Sequence, residues 1–183
     1  MQAGFTVGED RSHKAGNAVG GIRSLCENSG MQIRPATSKQ ELAQVRELFE
    51  EYARELGVDL CFQGFAAELA ELPGAYAPPE GGLLIAMEGE EAVGCVALRS
   101  LGNGVCEMKR LFVRRAFRGR GLGKLLAEKI IIEAKSAGYH TMKLDTLPAL
   151  AAATRLYVDL GFIRCEAYYE TPLKETIFMA LKL

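Results

Sequence analysis

A chain of 183 residues, 49% apolar and 25% charged with a net charge of −1, is long enough for one well-buried core and too short for two ordinary domains. Near-neutrality argues against a protein that holds nucleic acid by overall positive charge, and no run of about 18 apolar residues is present to span a membrane. Five cysteines (Cys26, Cys61, Cys95, Cys106, Cys165) stand singly and in odd number, which argues against a disulfide framework and for reduced thiols in a cytoplasmic setting.

Residues 1–30 hold six glycines and mixed charges without an apolar stretch of signal-peptide length. They are expected to be a peripheral extension dispensable for catalysis, with the domain proper at 31–183. Ile33 to Pro35 reads as a short strand. Ser38 and Glu41 match a capping box, and Leu42, Val45, Leu48, Phe49, Tyr52 and Leu56 recur at helical spacing up to a stop at Gly57. That helix has one apolar stripe and an acidic outer face. A shorter helix is expected over Ala66 to Leu72, followed by an irregular loop through Pro73, Pro78 and Pro79.

Leu83 to Met87 and Val93 to Leu98 read as a hairpin turning at Glu88 to Glu91, with a third strand from Val105 to Val113 after a glycine-containing turn. A long helix is expected from Gly121 to Ala137, its apolar side made by Leu122, Leu125, Leu126, Ile130 and Ile132. Met142 to Thr146 is the returning strand of a parallel crossover, Ala149 to Leu160 a last helix, and Ile177 to Leu183 a closing strand. The class is α+β: a mixed, mostly antiparallel central sheet of about six to seven strands with helices on both faces.

The densest signal is Arg118-Gly119-Arg120-Gly121-Leu122-Gly123, set between the strand ending at Val113 and the long helix. Unpaired backbone N–H groups and the positive end of a helix dipole converge at such a turn, and glycine lets an anion approach the main chain. From Lys109 to Lys124 there are seven cations (Lys109, Arg110, Arg114, Arg115, Arg118, Arg120, Lys124) and no acid. The expected ligand is a compact polyanion. The nucleotide triphosphatase loop is excluded, because five residues before Gly123 stands Arg118 and Leu125 follows Lys124. The dinucleotide fingerprint fails too, since counting from Gly119 puts Lys124 where its last glycine belongs.

What fits is Arg/Gln-x-x-Gly-x-Gly/Ala, and from Met31 onward the chain resembles the GNAT acyltransferases, where that loop holds the pyrophosphate of coenzyme A. Glu107-Met108-Lys109-Arg110-Leu111-Phe112-Val113 resembles the family's fourth strand, with Glu107 eleven positions before Arg118. Leu144-Asp145-Thr146 resembles the fifth, and Ala153-x-x-Leu156-Tyr157-x-x-x-Gly161-Phe162 the family's tyrosine-bearing helix and its exit. The resemblance implies fourth and fifth strands that splay around pantetheine. Leu111, Phe112 and Val113 would then offer main-chain groups to it, and Arg118, Gly119, Arg120, Gly121, Leu122, Gly123 and Lys124 would bind the diphosphate of acetyl-CoA. A bulge is the usual device for opening such a gap. Many relatives carry asparagine three residues before the alanine matched by Ala153; here Leu150 stands there, so that contact is either absent or supplied elsewhere, with Asp145 and Thr146 as the candidates.

Acyl transfer from a thioester to an amine requires a neutral nucleophile and a stabilised thiolate leaving group. By position in the resembled motifs, Glu107 is the candidate base and Tyr157 the candidate acid; a salt-bridged strand glutamate and a core tyrosine are the structural alternatives. No cysteine stands where a covalent acyl intermediate would be expected, so direct transfer in a ternary complex is implied. The implied activity is N-acetylation of a small-molecule or amino-acid-like primary amine. A protein or peptide acetyltransferase and a non-catalytic acyl-CoA sensor are the alternatives, and a nucleic-acid binder is disfavoured. No metal is expected, since His13 and His140 have no ligand-type neighbours at metal-site spacing. No membrane or nucleic-acid partner is expected, and a homodimer is left open.

Overall fold

The computed structural model describes residues 30–58, 60 and 64–183. The expectations for residues 1–29 and for His13, Cys26 and Cys61 lie outside the described residues. Strand β1 (Met31–Pro35) leads through the capping box into α1 (Lys39–Leu56). The Ser38 side chain accepts from the Glu41 amide while the Glu41 carboxylate accepts from the Ser38 amide at 2.8 Å, satisfying donors that a helix start leaves open. Gly57, left-handed at φ 69, closes the helix by donating to Ala53. Helix α2 (Phe65–Glu71) follows, and the proline-rich loop contains one 3₁₀ turn, Gly74–Tyr76.

Strands β2 (Gly82–Glu88), β3 (Glu91–Gly102) and β4 (Val105–Val113) form an antiparallel meander. Helix α3 (Leu122–Ser136) crosses to β5 (Thr141–Thr146), which lies parallel to β4. Helix α4 (Ala151–Asp159), a two-residue strand β6 (Ile163–Arg164) and β7 (Ile177–Lys182) complete the order β1-β2-β3-β4-β5-β7-β6. Strand β6, which pairs with β7, was not foreseen; at two residues it carries no periodicity to read.

Residues alternate between two apolar layers. Leu84, Val96, Leu98 and Met108 face α3 and α4, whereas Leu83, Ile85, Ala97 and Phe112 face α1 and α2. Burying one such large side chain stabilises by about 1.5–3 kcal/mol, so α1, through fully covered Val45, Leu48 and Phe49, is firmly seated. On α3 one assignment is corrected: Ile131 is buried and Ile132 is 56% exposed. Ile132 stands two residues, about 200°, from Ile130, on the opposite side of the helix.

Candidate active site

Two local irregularities build the site. The first is at β4. Its pairing with β3 runs Cys95 to Phe112 and then Ala97 to Lys109, so β4 carries one extra residue, and Arg110 takes a left-handed backbone at φ 56. This is a bulge, and a bulge turns a strand away from its neighbour. A left-handed arginine is held by its surroundings. Its guanidinium makes a bidentate pair with Glu68, at 2.9 and 2.6 Å, and lies over the rings of Tyr52 and Phe65. Burial opposes the charge, but the Glu68 hydrogen bonds prevail and hold Arg110 more firmly protonated than usual.

The consequence appears on the other edge of β4. Its pairing with β5 stops after Val105–Thr141, Cys106–Met142 and Glu107–Lys143, although both strands continue. Beyond that point they splay, and the gap opens a cleft of about 540 Å³ lined by Lys109 to Val113, by Arg118, Gly119 and Gly121 to Lys124 but not Arg120, by Asp145 to Leu147 and by α4.

The second irregularity is the turn entering α3. Gly119 and Gly121 have φ of 76 and 78, and a Cβ on either would meet nothing within 4 Å, so their α-carbons face open space. The first helical bond runs from the Leu125 amide to the Gly121 carbonyl at 3.1 Å. Among the described residues none of the amides from Gly119 to Lys124 has a protein acceptor. Six consecutive free N–H groups at the positive end of a 15-residue helix form an anion site.

The cations around this turn do something other than their density in sequence suggests. Every one of the seven is answered by an acid. Arg114 meets Glu51 at 2.7 Å and Arg118 meets Glu55 at 2.6 Å, both acids on α1. Arg115 also reaches Glu55, Arg120 reaches Glu88, Lys124 reaches Glu128, Arg110 reaches Glu68, and Lys109 lies near Glu107 and Asp145. The acidic face of α1 is therefore partnered by the basic run, and the backbone, not a surplus of cations, carries the anion site. Arg118 is pinned three ways: Nε donates to the Val113 carbonyl at 2.7 Å, Nη1 pairs with Glu55, and the guanidinium lies over Phe112. The Arg118 hydrogen bond and charge hold the Glu55 carboxyl below its usual range.

Tyr157 lines the cleft from α4, its ring edge-on to Phe162. Its hydroxyl has no protein partner among the described residues. Burial pushes its pKa well above the usual phenol range, with Tyr52 and Asp145 adding to the effect, so it keeps its proton at neutral pH. The Thr146 hydroxyl, also lining the cleft, is covered and has no partner among the described residues.

Glu107 is placed differently from Tyr157. It is fully buried and does not line the cleft. One carboxylate oxygen accepts from Arg99 Nε at 2.6 Å, and the other accepts from the Tyr168 hydroxyl at 2.7 Å with Lys109 Nζ 3.8 Å away. Lys109, two residues on, does line the cleft, with its Nζ 3.6 Å from Asp145. Leu111 falls within the bulge, Phe112 and Val113 pair with β3, and the Val113 carbonyl is already taken by Arg118. Arg99 and Glu55 were not foreseen as site residues; Glu55 left a trace in the sequence, as part of an acidic helix face whose partners lay sixty residues away.

A central parallel pair that opens over a free glycine turn, with an unpartnered tyrosine at its edge, defines a cleft for an extended ligand with an anionic tail. The acetyltransferase (GNAT) family model matches residues 42–162. An uncharacterised N-acetyltransferase of Schizosaccharomyces pombe is 42% identical over 161 residues, covering 87% of this chain and 99% of that protein. An acetyltransferase from Streptococcus agalactiae shares the fold with a TM-score of 0.71 at 22% identity, over 84% of this chain and 99% of that one. An acetyltransferase from Salmonella typhimurium, solved with its cofactor acetyl-CoA, does so with a TM-score of 0.60 at 24% identity, over 84% and 94%. The chain belongs to the GNAT family of N-acetyltransferases. Among the described residues no helix is long and apolar enough to cross a membrane.

Proposed function

We propose that this protein transfers an acetyl group from acetyl-CoA to a primary amine of a small-molecule or amino-acid-like acceptor, by direct attack while both are bound. The observation that carries the reading is the alignment of two features along one cleft. Six unpartnered amides lie at one end, and an unpaired strand edge lies beyond Glu107 and Lys143. The residues present fit coenzyme A: the amides from Gly119 to Lys124 would hold the diphosphate, with no Cβ to obstruct it at Gly119 or Gly121. The open edge of β4 near Leu111 would add to pantetheine as one strand adds to another. The unpartnered Thr146 hydroxyl offers a further hydrogen bond where this chain has Leu150.

When bound, acetyl-CoA supplies the activated acyl group. The chain's part is to orient it and to manage protons. Tyr157, held protonated by burial, donates from its free hydroxyl to the departing sulfur. Arg118 fixes the carbonyl end of β4 to the loop by bridging Val113 and Glu55. Glu107, enclosed by Arg99, Tyr168 and Lys109, positions the polar row behind the cleft without touching an acceptor itself. Calorimetric titration with acetyl-CoA, followed by thiol release with a panel of amines, tests the proposal. Binding without thiol release from any amine would leave a sensor, and no binding would remove the reading altogether.

A further inference from the structure

Acetylation of an ammonium acceptor removes two protons from its nitrogen. One leaves with sulfur as the thiol, by way of Tyr157, and the other must go to a base that meets the acceptor and then to water. Among the described residues the acids lining the cleft are Glu55 and Asp145. Glu55 is occupied at the loop end by Arg118 and Arg115. Glu107 is fully buried and does not line it. Asp145 lies two residues past the last β4–β5 pair, at the mouth of the splay, with its side chain 19% exposed. Its ion-pair partner among the described residues is Lys109 Nζ at 3.6 Å, too long to saturate the carboxylate.

We propose that Asp145 is the carboxylate that receives the acceptor's ammonium group in this cleft and takes one proton from it, freeing the lone pair that attacks the carbonyl; the second proton leaves the nitrogen as the carbon–sulfur bond breaks and passes by way of Tyr157 to the sulfur. This inference rests on the acetyl-CoA reading above. Three features of the site support it. The Tyr157 hydroxyl lines the same cleft, so acid and base are both placed at the splay. Lys109 is pushed below its usual range by burial, against the pull of Glu107 and Asp145, and its Nζ is shared between those two carboxylates at 3.8 and 3.6 Å. Tyr52 of α1 and Tyr157 of α4 line the same cleft as Asp145 of β5, so residues of three elements surround the space beside this carboxylate. Lys109 of β4 and Lys143 of its own strand complete the charged groups around this end of the cleft.

The test compares two probes small enough for any acceptor pocket: methylamine, almost wholly protonated at neutral pH, and hydroxylamine, almost wholly neutral there. In Asp145→Asn the kcat/KM for methylamine should fall by about 100-fold or more, as for loss of a general base, and that for hydroxylamine by less than about fivefold. Acetyl-CoA affinity should stay within about twofold, and Asp145→Glu should recover much of the methylamine rate. Asp145→Ser provides the same comparison if the asparagine variant does not fold. Equal losses with both amines, or none, would overturn the assignment, as would a wild type that binds acetyl-CoA but releases thiol with neither amine. A wild type that does not bind acetyl-CoA refutes the cofactor reading instead.

Discussion

Replacing Tyr157 with phenylalanine separates a catalytic hydroxyl from a packing one, because the chain contains its own control. Among the described residues the Tyr157 hydroxyl bonds to no protein group, while its ring meets Phe162 at 5.8 Å, a contact the substitution keeps. No partner is orphaned by its removal, so stability should change by no more than about 0.5 kcal/mol. Tyr76 is the same residue type in the opposite situation: 3% exposed, its hydroxyl donates to Glu68 at 2.6 Å. Tyr76→Phe forfeits a hydrogen bond to a charged group and should cost about 1.5–3 kcal/mol. Catalysis should respond in reverse. Losing the acid that protonates the leaving sulfur should lower kcat by about 10²-fold or more in Tyr157→Phe, a barrier increase of about 2.7 kcal/mol, with acetyl-CoA affinity unchanged. Tyr76, which does not line the cleft, should leave kcat nearly as it was. Thiol release at saturating acetyl-CoA and urea unfolding measure the two quantities. Unchanged kcat in Tyr157→Phe, or destabilisation as large as that of Tyr76→Phe, would return Tyr157 to the core.

Gly121→Ala places a Cβ on a backbone with φ 78, costing about 1–2 kcal/mol of stability, and should weaken acetyl-CoA binding by more than about tenfold by crowding the anion site. Gly102→Ala, at φ 82 in equally open space but away from the cleft, should show the stability loss with affinity intact, as read by calorimetry and thermal unfolding. Arg118→Ala should weaken binding by about tenfold and let the Glu55 carboxyl titrate closer to its ordinary range, measurable by carboxyl NMR. For Glu68, burial pushes the carboxyl up but the Arg110 hydrogen bonds and charge, with help from Tyr76, bring it below its usual range. Its contribution is therefore present above the unfolded value of about 4.3 and is lost as pH falls through the lower folded value. Glu68→Gln, which leaves buried Arg110 without its counter-charge, should destabilise by about 3 kcal/mol at neutral pH, with the gap to wild type narrowing in acid.

Much of this scaffold was legible because short-range chemistry dictates it. Ser38, Glu41 and Gly57 bound α1 through hydrogen bonds that span four residues, and β4 runs from Val105 to Val113 as its pattern predicts. The glycine turn was readable for the same reason: its geometry is local. Features that depend on distant partners were not. The density of cations from Lys109 to Lys124 suggested a ligand, yet Glu51, Glu55, Glu68 and Glu88 arrive from other elements to pair with them. The bulge at Arg110 has no glycine to announce it, and it is sustained by Glu68, forty-two residues earlier. Glu107 shows the limit of motif position: the spacing located it correctly in β4, but only the fold shows it fully buried, with its carboxylate held by Arg99 and Tyr168 and near Lys109. The start of α4 slipped from Ala149 to Ala151 because Leu150, at φ −91 and ψ 50, is not helical and has no side chain that caps.

The turn entering α3 and the splay beside it are the two features on which acetyl-CoA binding depends, and a crystal structure of the protein with acetyl-CoA tests both at once. The expected result is a diphosphate seated on the amides between Gly119 and Lys124, with pantetheine running between β4 and β5 beyond Glu107 and Lys143 toward Tyr157. A diphosphate bound elsewhere, or strands paired through Val113 and Thr146, would contradict it.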